Sequence, residues 1–290
     1  MNGIKLIECP RDAMQGWPHP ISTSDKVAYH KLLLKVGFDT LDIGSFVSPK
    51  AIPQMADTRQ VLKELAEEGV LDGERPRLLT IVANVRGAID AATTEVVDDL
   101  GFPFSISDTF QQRNAGTGIE EARIRLAKIN DIAIENGKNL VTYLSMGFGN
   151  PYGDPWSPQL LVDQAGELIE TLGLRTLALS DTVGTAEVDV IQSAFEALVP
   201  AFPEVEFGAH LHALPWDAEA KIRAAFEGGC RRFDGAIRGV GGCPMAGNEL
   251  VGNMPTERLV SFVESEGLWK CQDARAWSAA QSYAADLFAG

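Results

Sequence analysis

The stretch that decides the fold is Glu8–Gln15, "ECPRDAMQ". It follows "GIKLIEC" (3–9), which has the apolar content of a strand. It precedes "STSDKVAYHKLLLKVG" (22–37), a helix with a Ser/Thr cap and a glycine stop. A first strand in a doubly wound nucleotide-binding sheet is followed by a glycine-rich phosphate turn. "ECPRDAMQ" has no glycine; it offers two carboxylates, a guanidinium and a thiol. The open sheet, the rival architecture, therefore lacks its signature.

Outward from this stretch, strand-like and helix-like runs alternate. "FDTLDIG" (38–44), "RLLTIVAN" (77–84), "GFPFSIS" (101–107), "NLVTYLS" (139–145), "RTLALSD" (175–181), "VEFGAHLH" (205–212) and "RRFDGAI" (231–237) read as strands two to eight. Between them lie helical patterns such as "TRQVLKELAEEG" (58–69), "VRGAIDAATTEVVDD" (85–99) and "GIEEARIRLAKINDIAIENG" (118–137). Strands too apolar to have a wet face imply a parallel sheet covered on both sides. At 290 residues, a (β/α)8 TIM barrel is the economical closure. The expected organisation is a barrel domain over residues 1–265 and a C-terminal helical extension over 266–290, packed on the barrel.

A formal net charge of −15 argues against nucleic-acid binding, which needs cations for the phosphates. No apolar run is long enough to span a bilayer, and no basic stretch with an apolar core marks a signal or transit peptide. The four cysteines lack CxxC spacing, so reduced thiols and a cytoplasmic setting are expected.

Chemistry in such barrels collects at the C-terminal ends of the strands. Residues two apart on a strand face the same way, so His210 and His212 both face the barrel mouth if Leu211 faces the helices. Two inward imidazoles suit a metal ion; the alternative is two histidines satisfied by polar packing. Asp12 is the best partner carboxylate, with turn formation as its ordinary alternative. A carboxylate, two imidazoles and an amide oxygen, without thiolate, suit Mg²⁺ or Mn²⁺ ahead of Zn²⁺. Arg11 is either an ion-pair partner of Glu8 or a fixed cation for a developing oxyanion. Asp42 by itself reads as a buried polar anchor. Cys243, in "GVGGCPMAG" (239–247), is either a small buried hydrophobe or an acid–base thiol on a glycine-rich flap. Tyr143, Ser145 and Thr182 also stand at strand ends, as candidate substrate contacts.

The motifs "ECPRDAMQ", "SFVSPKAIPQMAD" (45–57), "GAHLH" (208–212) and "RGVGGCPMAGNELVGN" (238–253) together resemble the 3-hydroxy-3-methylglutaryl-CoA lyase family, in the right order from about residue 3 to about residue 265. That family lies within a metal-dependent barrel superfamily that also holds condensing synthases. The resemblance implies Asp12, His210, His212 and Asn253 as metal ligands, Arg11 as the group neutralising an enolate, and Cys243 as the catalytic thiol. It puts Asp42 where the family carries an acidic residue, usually Glu. It puts Gln15, Ser45, Tyr143 and Ser145 where substrate is contacted. It further implies cleavage of an acyl-CoA substrate to acetoacetate and acetyl-CoA, a place in leucine breakdown and ketone-body formation, and a homodimer or higher homo-oligomer. The chain departs from the commoner pattern in "ECPRD", one residue shorter than "EVGPRD", and in Val141, where arginine is frequent. Lys50, Arg113 and Arg238 are candidates for the CoA phosphates or plain surface charges. The remaining alternatives are a Claisen-type synthase or retro-aldolase of the same superfamily, and a non-catalytic ligand-binding barrel.

Overall fold

A computed structural model describes residues 3–242 and 251–289. Eight parallel strands close into a barrel in chain order. They are β1 Lys5–Glu8, β2 Thr40–Ser45, β3 Arg77–Ile81, β4 Asp99–Ser105, β5 Asn139–Ser145, β6 Thr176–Ser180, β7 Glu206–His210 and β8 Arg232–Gly235. The helices between them are α1 Pro10–Gln15, α2 Thr23–Leu33, α3 Thr58–Glu67, α4 Val85–Ala92, α5 Asp108–Ala115, α6 Ile119–Glu135, α7 Pro158–Leu172, α8 Val188–Ala201 and α9 Ala218–Glu227. Then α10 Thr256–Ser265 follows β8, and α11 Ala274–Leu287 lies against α2, where Tyr283 stacks on Tyr29. The closed barrel expected from the alternation is thus the observed architecture.

The helices form where the apolar spacing demands one buried face. In α6 the buried Ala122, Leu126, Ile129 and Ala133 recur every three to four residues. Side-chain caps start several of them: Ser22, Asn84, Ser107 and Ser157 each accept a backbone N–H from the first turn. Strands are buried on both faces. Their outer face joins the large core under the helices, while Leu79, Val141, Tyr143 and Ala178 fill the barrel interior. Gly101 of β4 makes room there, since a Cβ would sit 2.5 Å from Ile81 Cδ1 and 3.1 Å from the Tyr143 ring.

Three local readings need correction. The helix expected over 85–99 ends at Ala92, and β4 already begins at Asp99. Two short helices, α1 and α5, were not expected. The first is set by Pro10 in its first turn, where a missing N–H costs nothing, and by Asp12, whose charge suits a helix start.

Glu8 does not form the ion pair with Arg11 that was one of the two readings of that arginine. Strand alternation turns it to the outer face of β1, fully buried. There Ile237 N donates to it at 3.0 Å, and so does the Thr256 hydroxyl, which ties β1 to the chain after β8. Burial pushes its carboxyl up to about 8 from an ordinary 4.5, against the pull of those two bonds. The native state therefore keeps a proton that the unfolded chain releases. The stability from that proton is complete below 4.5 and declines as pH rises to about 8. Urea titrations should show this as a decline on the order of a few kcal/mol. Glu8→Gln should flatten it; an unchanged slope in the variant contradicts the assignment.

Candidate active site and metal centre

The end of β7 and the helix that follows β1 meet at the C-terminal mouth of the barrel. One carboxylate oxygen of Asp12 and one ring nitrogen each of His210 and His212 lie within 4.8 Å of one another. Leu211 turns into the core under the helices, as the alternation requires. Asn253, far away in sequence, arrives by backbone pairing. Ala213 N donates to Gly252 O at 3.1 Å and Met254 N to Leu211 O at 3.0 Å, which sets Asn253 opposite His212. Its amide nitrogen donates to Val240 O at 2.8 Å, so the amide oxygen is the atom this side chain could offer a cation. Gly252 is required at this crossing, because a Cβ would stand 2.2 Å from Gly239 O.

The protonation states of His212 and Asp12 suit a cation. Burial lowers His212 to about 4, and the neighbouring His210 adds to the effect, so its imidazole is neutral at physiological pH, the form that can bind a cation. Among the described residues neither of its buried ring nitrogens has a hydrogen-bond partner, an expensive arrangement unless something else engages them. For Asp12, burial opposes the charge, but Arg11 and then both imidazoles hold it below the ordinary carboxylate range. Arg11 Nη1 and Gln15 Nε2 each donate to Asp12 Oδ1 at 2.7 Å. The residues fit a hard divalent cation.

Arg11 is buried and double-tethered. Its Nε lies 3.1 and 3.0 Å from the two Asp42 oxygens, its Nη2 also donates to Asp42, and Nη1 goes to Asp12. Burial disfavours its charge, yet Asp42 and then Asp12 raise its pKa further, so it stays a guanidinium. Among the described residues one N–H each on Nη1 and Nη2 has no partner, so the guanidinium could still donate to an oxyanion.

Other expected residues are placed less centrally. Tyr143 lies inside the barrel with its ring 5.5 Å from that of His210. Ser45 Oγ is engaged by Val47 N and Ile81 O, and Thr182 Oγ1 by Met146 N. Ser145 lines a cleft of about 550 Å³ beside the mouth, with Asn84, Arg86, Ser105, Gln111 and Arg125. Arg86 and Arg125 were not among the expected cations. Of those that were, Arg113 sits over the Tyr152 ring at 4.6 Å and the Arg238 backbone N bonds Glu257. Cys243 lies outside the described residues. Sequence reading also missed Asp234, whose Oδ2 is 3.1 Å from His210 Nδ1, and Lys221, which donates to His212 O at 2.9 Å. An acid in the middle of "RRFDGAI" was the available signal for the former.

Among the described residues no helix is long and apolar enough to cross a membrane. The family model described as HMGL-like matches residues 4–281. Hydroxymethylglutaryl-CoA lyase YngG of Bacillus subtilis is 32% identical over 259 residues, covering 88% of this chain and 83% of that protein. Among solved structures, the HMG-CoA lyase of Bacillus subtilis superposes with a TM-score of 0.88 at 28% identity, over 99% of this chain and 94% of that one. The HMG-CoA lyase of Acinetobacter baumannii, solved with coenzyme A and 3-methylmalate, gives 0.86 at 25% identity, over 98% and 91%. With most of its length matched and its barrel shared, the chain belongs to the HMGL-like family.

Proposed function

We propose that the protein is a divalent-metal-dependent carbon–carbon lyase that cleaves 3-hydroxy-3-methylglutaryl-CoA to acetoacetate and acetyl-CoA. The observation that carries this reading is the convergence of Asp12, His210 and His212 within 4.8 Å, beside a buried Arg11. The relatives' names support it, as does the relative that binds coenzyme A. Asp12, His210, His212 and Asn253 would hold the cation, Mg²⁺ or Mn²⁺ in this proposal. Such a cation supplies a Lewis acid that lowers the pKa of a tertiary hydroxyl.

The rest is the work of side chains. Asp12, or another base at the mouth, takes the hydroxyl proton. The carbon–carbon bond then breaks, acetoacetate leaves, and the electron pair passes to the thioester oxygen of the acetyl-CoA fragment. Arg11, held by Asp42 and Asp12, offers its unused N–H groups to that enolate oxygen. Cys243 returns a proton to the enolate carbon, which completes acetyl-CoA. The cleft with Arg86 and Arg125 offers an acyl-CoA cationic lining despite the acidic chain. Free thiols at Cys9, Cys230 and Cys271 suit a reducing, cytoplasmic setting.

The test is direct. Purified protein with Mn²⁺ and 3-hydroxy-3-methylglutaryl-CoA should release acetoacetate and acetyl-CoA in equal amounts. Condensation of acetyl-CoA with a 2-oxo acid, without cleavage, would point to a synthase instead. Cys243→Ala should lower kcat by roughly 10²–10⁴-fold, the range for loss of a general acid, while Mn²⁺ binding is retained. Turnover in the variant equal to that of the wild type removes Cys243 from the mechanism.

A further inference from the structure

Beneath the mouth, β7 and β8 carry a column of charges in register. Gly208 pairs with Arg232 and His210 with Asp234, and strand alternation points these side chains to the same side. Asp234 is 2% exposed; its Oδ2 is 3.1 Å from His210 Nδ1, and among the described residues its Oδ1 has no hydrogen-bond partner. Arg232 Nε stands 4.0 Å from that Oδ1, and Arg232 Nη1 lies 3.6 Å from Glu206. Glycine at 208 clears the way for the arginine stem, since a Cβ there would lie 2.9 Å from Arg232 Cδ. A buried cation and a buried anion would each be costly alone in the barrel interior. Together they turn one carboxylate oxygen to the histidine and the other toward Arg232.

We propose that Asp234 is a positioning residue for His210, with Arg232 holding it as an oriented carboxylate. Asp234 accepts the proton on His210 Nδ1 and so selects the tautomer that leaves Nε2 unprotonated for a cation shared with Asp12 and His212. A neutral imidazole binds metal only through an unprotonated nitrogen, so the wrong tautomer closes the site without moving the ring. This rests on the reading that Asp12, His210 and His212 hold a cation. A rival arrangement exists at the same place: Cys9, His210 and Asp234 also offer ligand atoms within 4.8 Å of one another and could hold the cation themselves.

The experiment uses the full chain stripped of metal. Mn²⁺ affinity is read from the free-ion EPR signal, and the His210 tautomer from ¹⁵N–¹H correlation in the metal-free protein. Asp234→Asn, whose amide can donate to Nδ1, should weaken Mn²⁺ binding about 10–100-fold and move His210 toward the Nε2–H form. The thermal midpoint of the variant checks that the fold persists. Arg232→Met should give a smaller loss in the same direction, and it carries the test if Asp234→Asn does not fold. Cys9→Ser should bind Mn²⁺ as the wild type does. An unshifted tautomer with wild-type affinity in Asp234→Asn overturns the proposal, and so does an equal loss of affinity in Cys9→Ser. A wild type that binds no Mn²⁺, with the tautomer still shifting in Asp234→Asn, refutes the metal reading and upholds the positioning role.

Discussion

His212→Ala should lower acetoacetate release by about three orders of magnitude or more and abolish tight Mn²⁺ binding. The imidazole is 2% exposed, neutral, and, among the described residues, engaged by no hydrogen bond at either nitrogen. On the proposed function its removal takes one ligand from a set of four, with Asp12 Oδ1 already engaged by Arg11 and Gln15. A Lewis acid at a reacting oxygen contributes several kcal/mol to transition-state stabilisation, and each 1.4 kcal/mol or so is tenfold in rate. The loss should appear in both kcat and metal affinity. Structural damage is the alternative cause, so urea stability is measured on the same metal-free samples. A variant with tenfold reduced turnover and normal Mn²⁺ binding would remove His212 from the ligand set.

Arg11→Lys should lower kcat by roughly 10²–10³-fold, the usual range for losing an oxyanion donor, with little change in KM. The arginine forks onto Asp42 through Nε and Nη2, reaches Asp12 through Nη1, and still has donors to spare. Lysine keeps the charge but gathers its donors on one atom, so it cannot span two carboxylates and an enolate oxygen. Lysine is the better probe than methionine. Removing the charge altogether would leave the fully buried Asp42 unpaired, at a cost of about 3–5 kcal/mol in stability. Mn²⁺ affinity should stay near the wild-type value. A variant that turns over normally would assign Arg11 to structure alone.

The barrel was legible because eight apolar runs alternate with helical spacing, and because "ECPRDAMQ" could not be a phosphate turn. The period of two along β7 was enough to set His210 and His212 on one side. Other features depend on distance and register. Asn253 reaches His212 only through backbone pairing across the mouth, which no local spacing encodes. Glu8 looked like a partner for Arg11 by proximity, but strand alternation sends it outward while α1 carries Arg11 inward. Asp234 was visible as an acid within a strand, yet its role depends on the β7–β8 register. The helix overrun at 93–99 reflects "TTEVVDD", a short apolar pair between polar residues that suits either period.

Anomalous diffraction at the manganese edge, from crystals grown with Mn²⁺, tests the central claim most directly. A single strong peak at the barrel mouth is expected, in bonding contact with Asp12, His210, His212 and the Asn253 amide oxygen. No peak there, or a peak bound instead by Cys9 and Asp234, would contradict it.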